Sequence, residues 1–91
     1  MKKSIRLFLT GAVQTLFFEQ YIKEQADKIG VKGFFIRRED GRAEIFIEGD
    51  SVIVNEMVAI CRSGSHPSQI RSIEEKQEKF QNFKDFKILK I

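Results

Sequence analysis

A chain of 91 residues, 42% apolar and 32% charged, has room for one small domain and excludes a multidomain enzyme. One Cys and one His, Cys61 and His66, exclude an internal disulfide framework and a Cys- or His-rich metal site. The net charge of +3 permits contact with anions but does not by itself amount to the basic footprint of a nucleic-acid binder.

Met1-Lys2-Lys3-Ser4 resembles the start of a signal peptide, but the apolar stretch behind it is short and interrupted by Arg6. No segment approaches the ~20 apolar residues of a membrane span. A soluble cytoplasmic monomer without membrane contact is expected.

From Ser4 to Thr10, Ile5, Leu7 and Leu9 alternate with Arg6, Phe8 and Thr10, the period of a half-buried strand ended by Gly11. From Phe17 to Ile29 the period changes. Phe18, Tyr21, Ile22, Ala26 and Ile29 share one face at helical spacing, with Glu19, Lys23, Glu24, Asp27 and Lys28 opposite, and Gly30 is placed to end the helix. Lys32 to Arg38 is a second strand centred on Phe34-Phe35-Ile36. Asp40-Gly41 is a hairpin signal, and Ala43, Ile45 and Ile47 mark the returning strand.

Asp50 or Ser51 can cap a second helix whose apolar face holds Ile53, Val54, Met57, Val58, Ile60 and Cys61. A turn over Ser63 to Pro67 leads to a fourth strand beginning at Ile70 and Ile73, charged from Glu74 to Lys79. Phe86 to Ile91 is a short last strand. The order β-α-β-β-α-β plus a C-terminal strand predicts an α+β, ferredoxin-like sandwich: an antiparallel sheet with both helices on one face.

Most polar features have ordinary readings. Arg38 and Arg42 suit a solvated hairpin end, and Lys76, Lys79, Lys84, Lys87 and Lys90 suit an exposed strand pair. Cys61 reads as a small buried hydrophobe and His66 as an exposed loop residue. Lys32-Gly33-Phe34-Phe35-Ile36 is similar to the aromatic motif of RNA-recognition domains, which share this element order. That motif belongs on the third strand, whereas here it falls on the second, so an RNA-binding domain is the least favoured reading.

The segment Gly11-Ala12-Val13-Gln14-Thr15-Leu16-Phe17-Phe18 is a tight strand-to-helix connection. Amides at such a helix start lack helical acceptors, and the helix dipole favours an anion there, although the same loop is equally an ordinary connection.

The chain resembles the acylphosphatase family on these residues. The family signature Gly-x-Val-Gln-Gly-Val-x-Phe-Arg is met by Gly11-Ala12-Val13-Gln14-Thr15-Leu16-Phe17-Phe18-Glu19. The second signature, Gly-Trp-Val-x-Asn-x-x-Asp-Gly-x-Val-Glu, is met by Gly33-Phe34-Phe35-Ile36-Arg37-Arg38-Glu39-Asp40-Gly41-Arg42-Ala43-Glu44. Glu48-Gly49, Gly64 with Ile70 and Ile73, and Phe86-Lys87-Ile88 follow in family order, with Ser65 at the position of a family Pro.

The resemblance implies the ferredoxin-like fold and hydrolysis of carboxyl-phosphate anhydrides with no metal or cofactor. It implies a phosphate-binding loop over Gly11 to Phe18, with a small anion or acyl phosphate as ligand. The family Arg, which holds the phosphoryl group, corresponds to Glu19. The family Asn, which positions the attacking water, corresponds to Arg37. Both catalytic positions are therefore substituted.

Thr15 stands where the family has a Gly, and would be strained if that position required positive φ. A clamp donor is worth on the order of 10²–10³ in rate. A carboxylate about 4 Å from phosphate repels it by roughly 1–4 kcal/mol. The leading expectation is a family member whose hydrolysis is lost or strongly impaired and which serves by binding, its partner a protein. The alternative is an active enzyme in which Arg37 holds the phosphate and Glu19 the water. The opposite charges at these two positions also predict a direct Glu19–Arg37 contact.

Overall fold

Alternating burial along Lys2–Gly11 defines the first strand, β1, of the protein's computed structural model, which describes residues 1–13, 15–64 and 70–89. The helix α1 (Leu16–Ile29) follows, then β2 (Lys32–Arg37), β3 (Ala43–Asp50), α2 (Ser51–Ser63), β4 (Ile70–Gln77) and β5 (Phe86–Leu89). Gln14 of the connecting loop, Ser65 to Pro67 of the expected turn with its His66, and Lys90 and Ile91 lie outside the described residues.

Five strands form one sheet in the order β4-β1-β3-β2-β5. β3 is central, and β1 is interior between β4 and β3. The pairs β1–β3, β1–β4 and β2–β3 are antiparallel, as expected. The edge pair β2–β5 runs parallel, with Phe34 opposite Lys87 and Phe35 opposite Ile88, so the sheet is mixed rather than wholly antiparallel. β4 and β5 occupy opposite edges and do not pair. The lysines read as one exposed strand pair are correspondingly divided: Lys76 is on β4, Lys87 on β5, and Lys79 and Lys84 lie between them outside any strand.

Both helices cover one face. Ile5, Leu7, Leu9, Phe35, Ile45 and Ile47 from the sheet form one buried cluster with Phe18, Ile22 and Ala26 of α1 and Val54, Met57 and Cys61 of α2, and Ile60 packs at its margin. At roughly 1.5–3 kcal/mol per fully buried large apolar side chain, this cluster is the main source of stability. Asp50 caps α2 by accepting from the Val52 amide at 3.1 Å, and Gly30 ends α1 in the left-handed region at φ 94°.

The other face carries Phe34, Phe46 and Phe83, whose ring centroids lie 5.5–5.6 Å apart. The segment joining β4 to β5 crosses this face. Glu48, fully buried on β3, fastens it by accepting from the amides of Gln81, at 2.7 Å, and Phe83, while the Ser4 hydroxyl donates to it at 3.3 Å. Gly33 on β2 donates its amide to the Asp85 carbonyl at 2.9 Å. It must be Gly: at its φ of 139° a Cβ would stand 1.8 Å from the Phe46 carbonyl oxygen.

Candidate functional site

Two elements converge at the start of α1. The loop leaving β1 buries Val13 in the core, while Leu16 and Phe17 remain largely exposed and Phe18 returns to the core. Thr15 is extended, at φ −118° and ψ 152°, and its Oγ1 accepts from the Phe18 amide at 3.1 Å. The anticipated strain at Thr15 is absent, because the backbone there lies in the β region, where a β-branched residue is at ease. Thr15 is instead an N-cap, a role its residue type signals just before a helix. Its hydroxyl also takes up one of the amide donors that a helix start otherwise offers to an anion.

Glu19 lies in the first turn of α1, where the helix dipole favours a carboxylate, and its amide donates to the Thr15 carbonyl at 3.1 Å. Its side chain is only 4% exposed. Arg37 closes β2. It shares the parity of Phe35, so its side chain leaves the sheet on the helix side. Arg37 Nη2 stands 3.1 Å from Glu19 Oε2, with the Arg37 side chain 35% exposed.

The expected contact between Glu19 and Arg37 is thus present. Oε2 accepts no well-directed hydrogen bond among the described residues, so the guanidinium neutralises the carboxylate as an ion pair without aligning an N–H on it. The pair is more enclosed than two opposed surface side chains, because Glu19 is buried.

The neighbouring Arg38 and Arg42 belong to a separate network. Arg38 Nη1 donates to Glu44 at 2.7 Å, and Arg42 donates to Asp40 from its backbone N at 3.1 Å and from Nε at 3.0 Å. The Arg42 hydrogen bonds hold the Asp40 carboxyl below the usual carboxylate range. These charges brace the hairpin end, as their position in the sequence suggests. No group of three or more His, Cys, Asp or Glu among the described residues is arranged to hold a metal ion, and no helix is long and apolar enough to cross a membrane.

The sequence and the fold have close counterparts among known proteins. The acylphosphatase family profile matches residues 5–88. An acylphosphatase of Rubrobacter xylanophilus is 33% identical over 75 residues, covering 82% of this chain and 68% of that protein. One of Rhizorhabdus wittichii is 38% identical over 69 residues, covering 76% and 70%. The crystal structure of acylphosphatase from Bacillus subtilis superposes with a TM-score of 0.87 at 28% identity, covering 98% of this chain and 99% of that one. With sequence and fold matched along nearly its whole length, the chain belongs to the acylphosphatase family.

Proposed function

We propose that this domain has lost, or retains only weakly, the hydrolysis of carboxyl-phosphate bonds, because it carries its own anion where the family binds phosphate. The observation that carries this reading is the 3.1 Å approach of Arg37 to the buried Glu19 carboxylate. A phosphoryl group entering over the start of α1 would meet Glu19, which repels it by roughly 1–4 kcal/mol at about 4 Å. It would also meet a cation already engaged. The Thr15 hydroxyl occupies the Phe18 amide, which removes a further donor.

Phosphate and acyl phosphates are then weak ligands of the Gly11–Phe18 loop, and the domain acts by binding a protein partner, as a cytoplasmic monomer that uses no metal or cofactor. An RNA-binding role fits poorly with Phe34 and Phe35, whose rings are buried rather than free to stack on bases.

The test is hydrolysis of a simple acyl phosphate by the wild type and by Glu19→Arg/Arg37→Asn. The double variant restores the family's residue types, and its rate is expected to exceed that of the wild type by at least about tenfold. A wild type that turns over at the rate of an intact family member, with a slower double variant, would overturn the reading in favour of exchanged roles. Arg37→Ala would then raise KM, and Glu19→Gln would lower kcat.

A further inference from the structure

We propose that the helix-free face of the sheet holds a second binding site, for a small organic monoanion with a flat apolar body, between the β2–β5 edge and the segment that crosses it. A cavity of about 450 Å³ opens there. That size falls within the range of small-molecule sites. Phe34 and Phe83 form its wall and Leu89, 41% exposed, its apolar rim. Lys84 and Lys87 also line it, and among the described residues neither has an acidic partner at ion-pair distance. Asp85 is the one acid in the lining, so the cavity keeps a net single positive charge.

The wall is built before any ligand arrives. The Phe34 and Phe83 rings meet edge to face at 5.6 Å, and both pack on Phe46. Glu48 pins the Phe83 amide, and the Gly33–Asp85 hydrogen bond ties the crossing segment to β2. Asn82, within that segment, is the sole non-glycine residue at positive φ among those described, at 62°. Asn adopts that region more readily than most residues with a side chain, so the turn beside the cavity is set by a residue that suits it. A preformed wall lowers the ordering cost of binding.

The chemistry follows from the lining. An aromatic or alicyclic body packs on the half-buried Phe83 ring and on Leu89, with the buried Phe34 ring behind them, and one carboxylate or sulfonate meets the two ammonium groups. A dianion would exceed the cavity's net single positive charge, and a neutral ligand would gain nothing from the two exposed ammonium groups. The site is on the opposite face of the sheet from Glu19 and Arg37, so it stands whether or not the acyl phosphate reading holds.

The experiment is an amide-resolved NMR titration with 2-naphthoate and, separately, its neutral analogue 2-naphthylmethanol. Saturable shifts are expected at Phe34, Phe83 and Lys87, with the anion bound at least about tenfold more tightly than the alcohol. In Lys84→Gln/Lys87→Gln, a pair of surface changes that spares the fold, the anion's advantage should vanish while the alcohol's affinity stays the same. Absence of saturation up to millimolar ligand, equal affinity for anion and alcohol in the wild type, or shifts confined to the start of α1 would overturn the proposal.

Discussion

Arg37, the last residue of β2, reaches the first turn of α1 and sets its Nη2 3.1 Å from Oε2 of Glu19. The two partners are unequal. Glu19 is buried, whereas about a third of Arg37 remains in water. Removing the cation leaves a charge that water reaches poorly, and removing the anion leaves a cation that water reaches readily.

Arg37→Ala is therefore expected to destabilise the domain by about 1–3 kcal/mol, and Glu19→Gln by less than about 1 kcal/mol. Urea unfolding of both single variants and of the double variant gives the coupling. Equal, negligible losses would mean that the contact is incidental.

Thr15→Ala removes the cap on α1 and is expected to cost about 1 kcal/mol, whereas Thr15→Gly costs a few tenths. The comparison separates capping from strain. A strained Thr would instead make the glycine variant more stable than the wild type. Denaturant midpoints of the three proteins distinguish these outcomes.

The elements with a strong period were legible before the structure. Ile5, Leu7 and Leu9, and then Phe18, Ile22 and Ala26, name their own faces, and Asp40-Gly41 and Asp50 mark the turn and cap they occupy. The positions of Glu19 and Arg37 could be paired only through the family signatures, since nothing local joins the end of β2 to the start of α1.

Two features had no local signal. The direction of β5 is decided by its parallel register with β2, and a four-residue strand carries no mark of that choice. Glu48 alternates with Ile45 and Ile47 in β3 and so reads as a solvent-facing residue. It is buried because the segment before β5, which has no regular period, lies over it and directs two amides to its carboxylate.

Glu48→Gln leaves one oxygen to serve two amides and presents an NH₂ group to the other. The variant is expected to lose about 1–3 kcal/mol. Exchange of the Gln81 and Phe83 amides should accelerate more than exchange in β1. Unchanged protection at those two amides would show that the segment is held by its aromatic contacts alone.

Burial pushes the Cys61 thiol from its ordinary 9.0 up to about 12. The folded state thus holds the proton more tightly than the unfolded state. This contribution to stability is complete below about pH 9 and is lost as pH rises from there toward about 12. Between about pH 8 and pH 10.5 the wild type should lose more stability than Cys61→Val, which cannot ionise. Parallel losses in the two proteins would contradict the assignment, as would rapid reaction of the native thiol with a disulfide reagent at about pH 8.

The most direct test of the self-occupied anion site is the steady-state turnover of a simple acyl phosphate by the wild-type chain, measured beside the Bacillus subtilis acylphosphatase under the same conditions. On the proposed reading, in which a carboxylate stands in place of the phosphate-holding arginine, kcat/KM is expected to be at least about a hundredfold lower for this chain. A value equal to that of the intact enzyme would contradict the account and make the Glu19–Arg37 pair part of a working active site.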